Sequence, residues 1–170
     1  MEEEDTMTQP ASITERLNKV INRISYGSID VSAPEYDEVR NFMYLWNLFE
    51  KEFFKRNYAR HTGNVKSIQT NSETLSTLAY FQGVYANNQT RFNGLNFRDT
   101  QHRTFITNVL SGAISDEASI TKAVIEIIYR YRCNLFHGSK EIASLWSQKD
   151  NFIHSNQFIL ACLEAKLNIK

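Results

Sequence analysis

The sequence predicts an all-α fold, an up-and-down bundle of about five to six helices. Only two prolines and six glycines interrupt the chain. Apolar residues recur at helical spacing, and the period-two alternation that a half-buried strand requires is not sustained anywhere. A chain of 170 residues is long enough to bury one core without a metal or disulfide framework. We assign residues 12–170 to a single domain and residues 1–11, which open Met-Glu-Glu-Glu-Asp, to a frayed, disordered acidic tail.

The first element starts at Ser12-Ile-Thr-Glu15, which has capping-box spacing. It continues through Leu17, Val20, Ile21 and Ile24 to Gly27 as a short amphipathic helix. Pro34 suits a first helical turn. Behind it Val39, Phe42, Met43, Trp46, Phe49 and Phe53 form one stripe, widened by Tyr44, Leu45, Leu48 and Phe54, so this helix is expected at the centre of the bundle. Arg60-His-Thr-Gly63 breaks the pattern before a third helix whose inward side includes Ile68, Leu75, Leu78, Phe81 and Tyr85. The segment from Asn87 to Asp99, with Asn93-Gly94 inside it, has turn composition and reads as a loop. Phe105, Ile106, Val109 and Leu110 make a short helix ending near Gly112, and Ser115-Asp116 can cap the next. That helix turns Ile120, Val124, Ile127, Ile128, Tyr131 and Leu135 inward and closes at Gly138, the residue type that best tolerates a left-handed helix end. A last helix, about Asn151 to Leu167, buries Phe152, Ile159, Leu163 and Leu167.

Formal net charge is zero, so attraction of nucleic acid by the molecule as a whole is excluded and any such binding needs a local basic patch. Cys133 and Cys162 are the only cysteines and form no CxxC pair, which argues against a zinc site and for a reducing compartment. Cytoplasm is the expected location. No run of about twenty apolar residues occurs, and the acidic N-terminus lacks the pattern of a signal peptide, so no membrane partner is expected. His61, His102 and His154 share no metal-ligand spacing; they read as surface or loop histidines, and neither metal nor cofactor is expected.

The chemistry concentrates in Arg130-Tyr-Arg-Cys-Asn-Leu-Phe-His-Gly-Ser-Lys140. Arg132 carries a permanent charge on a planar fork suited to phosphate, and His137 can give or take a proton near neutral pH. At about 100° per residue the two lie roughly 140° apart on an ideal helix, so the helix must open between them, and Gly138 supplies the reason. Asn134 can bond the freed carbonyls or a substrate. Arg130 and Lys140 flank the pair as candidate phosphate contacts or as plain surface charges. A cation in a helix's last turn is also favoured by the negative helix end, which explains Arg132 or His137 singly but not the whole string. Cys133 is read as a quiet half-buried thiol rather than a reactive one, Trp46 and Phe49 as core, and Glu50 as either an orienting carboxylate or a solvent-facing one.

This string resembles the signature of the HEPN superfamily, small helical bundles in which an arginine is followed four to six positions later by histidine. The likeness is closest to the Apea-like and plasmid-borne branch, whose Arg-Asn-Asn-Leu-Phe-His-Gly text is matched here by Arg132, Asn134, Leu135, Phe136, His137 and Gly138. Tyr44-Leu-Trp-Asn-Leu-Phe-Glu-Lys-Glu-Phe-Phe54 is similar to the early core helix of that branch. The resemblance implies a HEPN-like fold over Pro34 to Leu167 and a metal-independent endoribonuclease acting on single-stranded or loop RNA by attack of the ribose 2′-hydroxyl. It further implies His137 as general acid or base, Arg132 as stabiliser of the phosphoryl charge, a homodimer with two signatures facing a shared basic cleft, and a setting in toxin-antitoxin or anti-phage defence with an antitoxin protein as partner. The sequence departs from the pattern at Cys133, where a polar residue, most often asparagine, is usual. Either Asn134 carries the polar duty alone, or the site is weakened, or the chain is a non-catalytic HEPN-like module that binds a nucleotide or a partner protein.

Overall fold

The computed structural model describes residues 12–25, 30–136 and 145–169. The acidic tail, Gly27, and the signature residues His137, Gly138 and Lys140 lie outside them. Among the described residues the chain is all-α, with seven α-helices joined by short turns, some of them 3-10, and no strand: α1 (Ile13–Ser25), α2 (Asp37–Phe54), α3 (Ser72–Tyr85), α4 (Gln89–Asn93), α5 (Thr100–Leu110), α6 (Glu117–Phe136) and α7 (Lys149–Leu167).

Polar side chains set where several helices begin. Ser12 N–H donates to Glu15 Oε2 at 2.7 Å and Ser12 Oγ accepts from Glu15 N–H at 3.2 Å, the reciprocal capping box expected from the spacing. Asn71 and Thr74 form a second such box at α3. Asp99 caps α5, and Asp116 accepts the Ser119 N–H at the start of α6, a bond that holds its carboxyl below the usual range. Gly112 closes α5 with a φ of +79°, a conformation costly for a side chain but free for glycine.

The segment read as a loop contains α4. Asn88 Oδ1 accepts the Arg91 N–H at 3.0 Å, and Phe92 and Leu95 are buried, so a cap and two apolar anchors stabilise a single short helix inside a polar stretch.

α2 packs on α7, α3 packs on both α7 and α6, and α5 lies on α6. The core is aromatic at the α2–α7 contact: Phe49 stands edge-on to Phe158 at 6.1 Å, and Phe42 meets Phe152 at 5.2 Å. The central helix is α6, every residue of which from Ala123 to Ile128 is buried. α2 sits to one side, because Met43, Tyr44 and Leu48 are exposed, Tyr44 at 74%; the apolar stripe was broader than the face that neighbours cover. Leu75 and Leu167, expected inside, are exposed as well, as are Leu17 and Val20 of α1.

Tyr58, in the turn after α2, ties that turn to α6. Its hydroxyl donates to Glu126 Oε1 at 2.7 Å, and its backbone N–H donates to Glu50 Oε1 at 2.9 Å. Glu126 is 4% exposed. Burial, and then the Glu126 charge, raise the Tyr58 phenol well above its ordinary range, so it stays a donor. Tyr58→Phe strands a buried carboxylate oxygen without that donor, and we expect a loss of about 1–3 kcal/mol, measured as a lower urea midpoint at unchanged slope.

Candidate functional site

The last two turns of α6 distribute the polar residues of the signature to different sides. Arg130 and Asn134 are four residues apart and share a face. Arg130 donates from Nε to the Leu95 carbonyl and from Nη2 to the Asn96 carbonyl, both at 2.8 Å. Asn134, which is buried, donates from Nδ2 to the Gly94 carbonyl at 3.0 Å, and its Oδ1 accepts from Asn96 Nδ2 at 3.4 Å. Both side chains therefore hold the segment between α4 and α5, where Asn96 adopts a φ of +56°. This use of Arg130 and Asn134 is structural.

Arg132 points elsewhere. It lies about 200° around the helix from both Arg130 and Asn134. Its guanidinium carbon sits 5.2 Å from the ring centroid of Phe136, a side chain left 52% exposed. Arg132 Nε is buried and has no acceptor among the described residues, whereas Arg40 and Arg103, like Arg130, donate to acceptors. One turn back on the same face is Tyr129, whose phenol is pushed up to about 12 by burial and by a hydrogen bond with Cys133; it remains protonated at neutral pH. Tyr129 packs against Tyr58 at 4.6 Å and Trp46 at 5.9 Å. Trp46 Nε1, like Arg132 Nε, is buried without an acceptor among the described residues. Two unspent N–H donors thus flank Tyr129. The sequence reading missed Tyr129 as a neighbour of Arg132, although the three-residue interval between them was a usable signal.

Among the signature residues, then, the structure brings Arg130 and Asn134 together on the α4–α5 segment and sets Arg132 apart with Phe136 and Tyr129; His137 and Lys140 are outside the described residues. Cys133 is buried, more fully than expected. Glu50 is spent on the Tyr58 N–H. His154 is not a loop residue: it lies in α7, stacked on Tyr80 at 4.0 Å and 17°. On the Asn134 side of α6 a polar cleft of about 470 Å³ opens, lined among others by Tyr80, Arg91, Tyr131, Asp150 and Asn151. Arg132 does not line it.

This contrast predicts opposite responses to the same change. Arg130→Gln removes two charge-assisted bonds to carbonyls and should cost about 1–2 kcal/mol, read as a lower melting temperature. Arg132→Gln has no acceptor to lose among the described residues and should leave the melting temperature nearly unchanged.

Among the described residues no group of three or more His, Cys, Asp or Glu converges to hold a metal ion, and no helix is long and apolar enough to cross a membrane. No family model, no curated protein and no solved structure matches this chain.

Proposed function

We propose that this chain is a HEPN-like, metal-independent endoribonuclease that cuts single-stranded or loop RNA in the cytoplasm. It works as a homodimer, in toxin-antitoxin or anti-phage defence with an antitoxin partner. The observation that carries the reading is Arg132: its Nε is buried and has no acceptor among the described residues, at the end of the central helix and inside a string that matches the signature. A permanently charged fork that the fold leaves unspent is available for an anion, and phosphate matches its geometry. Exposed Phe136 beside it offers a flat face on which an unpaired base can stack.

In this mechanism the RNA 2′-hydroxyl attacks the adjacent phosphorus. The P–O2′ bond forms, the P–O5′ bond breaks, and the products are a 2′,3′-cyclic phosphate and a 5′-hydroxyl. One proton leaves O2′ and one is delivered to O5′. His137 performs one of these transfers and the second copy's signature the other, while the Arg132 fork takes the charge that builds on the non-bridging oxygens. Cys133 points into the bundle toward Tyr129, so the exchange of the usual polar residue for cysteine alters packing and leaves the exposed side of Arg132 as it was.

Purified protein incubated with total RNA in chelator tests the reading, with an Arg132→Ala, His137→Ala double variant alongside. Cleavage by the parent and none by the double variant is the expected result. No cleavage by either overturns it in favour of a non-catalytic module.

A further inference from the structure

Among the described residues, a run of cations lies on a surface that no part of the mechanism above uses. Residues 51–60, at the end of α2 and in the turn after it, hold Lys51, Lys55, Arg56 and Arg60 against the single carboxylate of Glu52. All four cations are exposed. Lys51 lies 3.7 Å from Glu52, while no described side chain pairs with Lys55, Arg56 or Arg60. Glu50, the other nearby acid, accepts the Tyr58 N–H and lines a depression with Lys51 and Arg56, which leaves the four cations in excess over two carboxylates. Lys55 and Arg56 adopt consecutive left-handed conformations, with φ of 49° and 65°. Lys55 is the C-cap of α2, and the N–H groups of both residues donate to the Glu50 carbonyl, so the helix end itself sets two long cations side by side at the turn.

The position of this surface gives it meaning. Tyr58, between Arg56 and Arg60, lies with its ring 4.6 Å from Tyr129 and its hydroxyl on Glu126. Tyr129 is three residues, about 4.5 Å of helix rise, before Arg132. Glu126 is six residues, about 9 Å of rise, before Arg132, so the cationic turn packs on α6 within two helical turns of that guanidinium, and none of these cations lines the Asn134 cleft.

We propose that Lys55, Arg56 and Arg60 form a track for the RNA sugar–phosphate backbone that continues from the phosphate held at Arg132. This rests on the ribonuclease reading and names the surface by which the strand is held. The track reads charge and not base identity, so it adds affinity and register for any single strand.

The test uses the full chain with His137→Ala, which holds RNA uncut, and a fluorescein-labelled single-stranded RNA followed by anisotropy across a salt series. Lys55→Gln, Arg56→Gln, Arg60→Gln together, which keep long unbranched side chains at the turn, should weaken binding by about tenfold or more. They should also flatten the slope of log affinity against log salt by about 2, since each neutralised phosphate contributes about 0.7 on a single strand. With His137 restored, the triple variant should show its loss as a raised KM. Unchanged affinity and slope in the triple variant, with cleavage intact, would overturn the track and leave the nuclease standing. RNA bound through the track by a chain that cleaves nothing would uphold the track and remove the nuclease. Binding to phosphatidylserine vesicles but not to RNA would overturn the track in favour of a membrane surface.

Discussion

On the proposed ribonuclease mechanism, Arg132→Ala is expected to lower the single-turnover rate of RNA cleavage by roughly 10²–10³-fold, the scale seen when one preorganised donor to a developing oxyanion is removed. The effect should fall on the chemical step, because Arg132 Nε has no acceptor among the described residues and, in the proposed mechanism, the guanidinium gains its partner as charge builds on the phosphoryl oxygens. Arg132→Lys keeps the charge but loses the planar fork, so it should recover only part of the rate. His137→Ala removes a proton carrier and should cost roughly 10²–10⁴-fold. The double variant should fall hardly below the worse of the two singles, because residues that act as a unit are not additive. Circular dichroism melting run in parallel separates this from unfolding: Arg132 variants should melt with the parent.

The largest effect on stability is expected from Phe49→Ala. Phe49 is 0% exposed and its ring meets those of Trp46, Phe53, Phe54 and Phe158, so it joins α2 to α7 at the most aromatic part of the core. Truncation removes the transfer energy of the ring and leaves a cavity that four rigid rings cannot close, a cost of about 3–5 kcal/mol. Against a total of about 5–15 kcal/mol for a domain of this kind, that is a large fraction. Urea unfolding measures it directly. Tyr44→Ala on the same helix, at 74% exposure, should change stability by no more than about 0.5 kcal/mol.

Much of this fold was legible in the sequence because short-range chemistry decides it. The Ser12–Glu15 box and the Asp116 cap need only a polar side chain within reach of the next turn. The inward row of α6, Ile120 to Tyr131, needs only the helical period. The failures have a common cause in partners distant along the chain. α2 is apolar around most of its girth, so nothing local says that Met43, Tyr44 and Leu48 face out; that depends on α7 and the turn at Tyr58 covering only the other side. α4 was hidden because its stability comes from burying Phe92 and Leu95 and not from its own composition.

The candidate site shows the same division. Arg130 and Arg132 look alike in the string, and a rotation of about 200° between them decides that one meets the carbonyls of Leu95 and Asn96 while the other meets none among the described residues. Those carbonyls lie about 35 residues away in sequence. The cations of residues 51–60 were visible as residues, yet a net charge of zero concealed their density. The turn that carries them is fixed on α6 by Tyr58 reaching Glu126, 68 positions further on.

An RNA strand carrying a single 2′-deoxynucleotide at the cleaved position measures the chemistry most directly, because attack by the neighbouring hydroxyl is the step that Arg132 and His137 are proposed to assist. In chelator, the all-ribose strand should be cut to fragments ending in 2′,3′-cyclic phosphate, and the substituted strand should survive at that position. Cutting of the substituted strand at the same place and rate would contradict the mechanism.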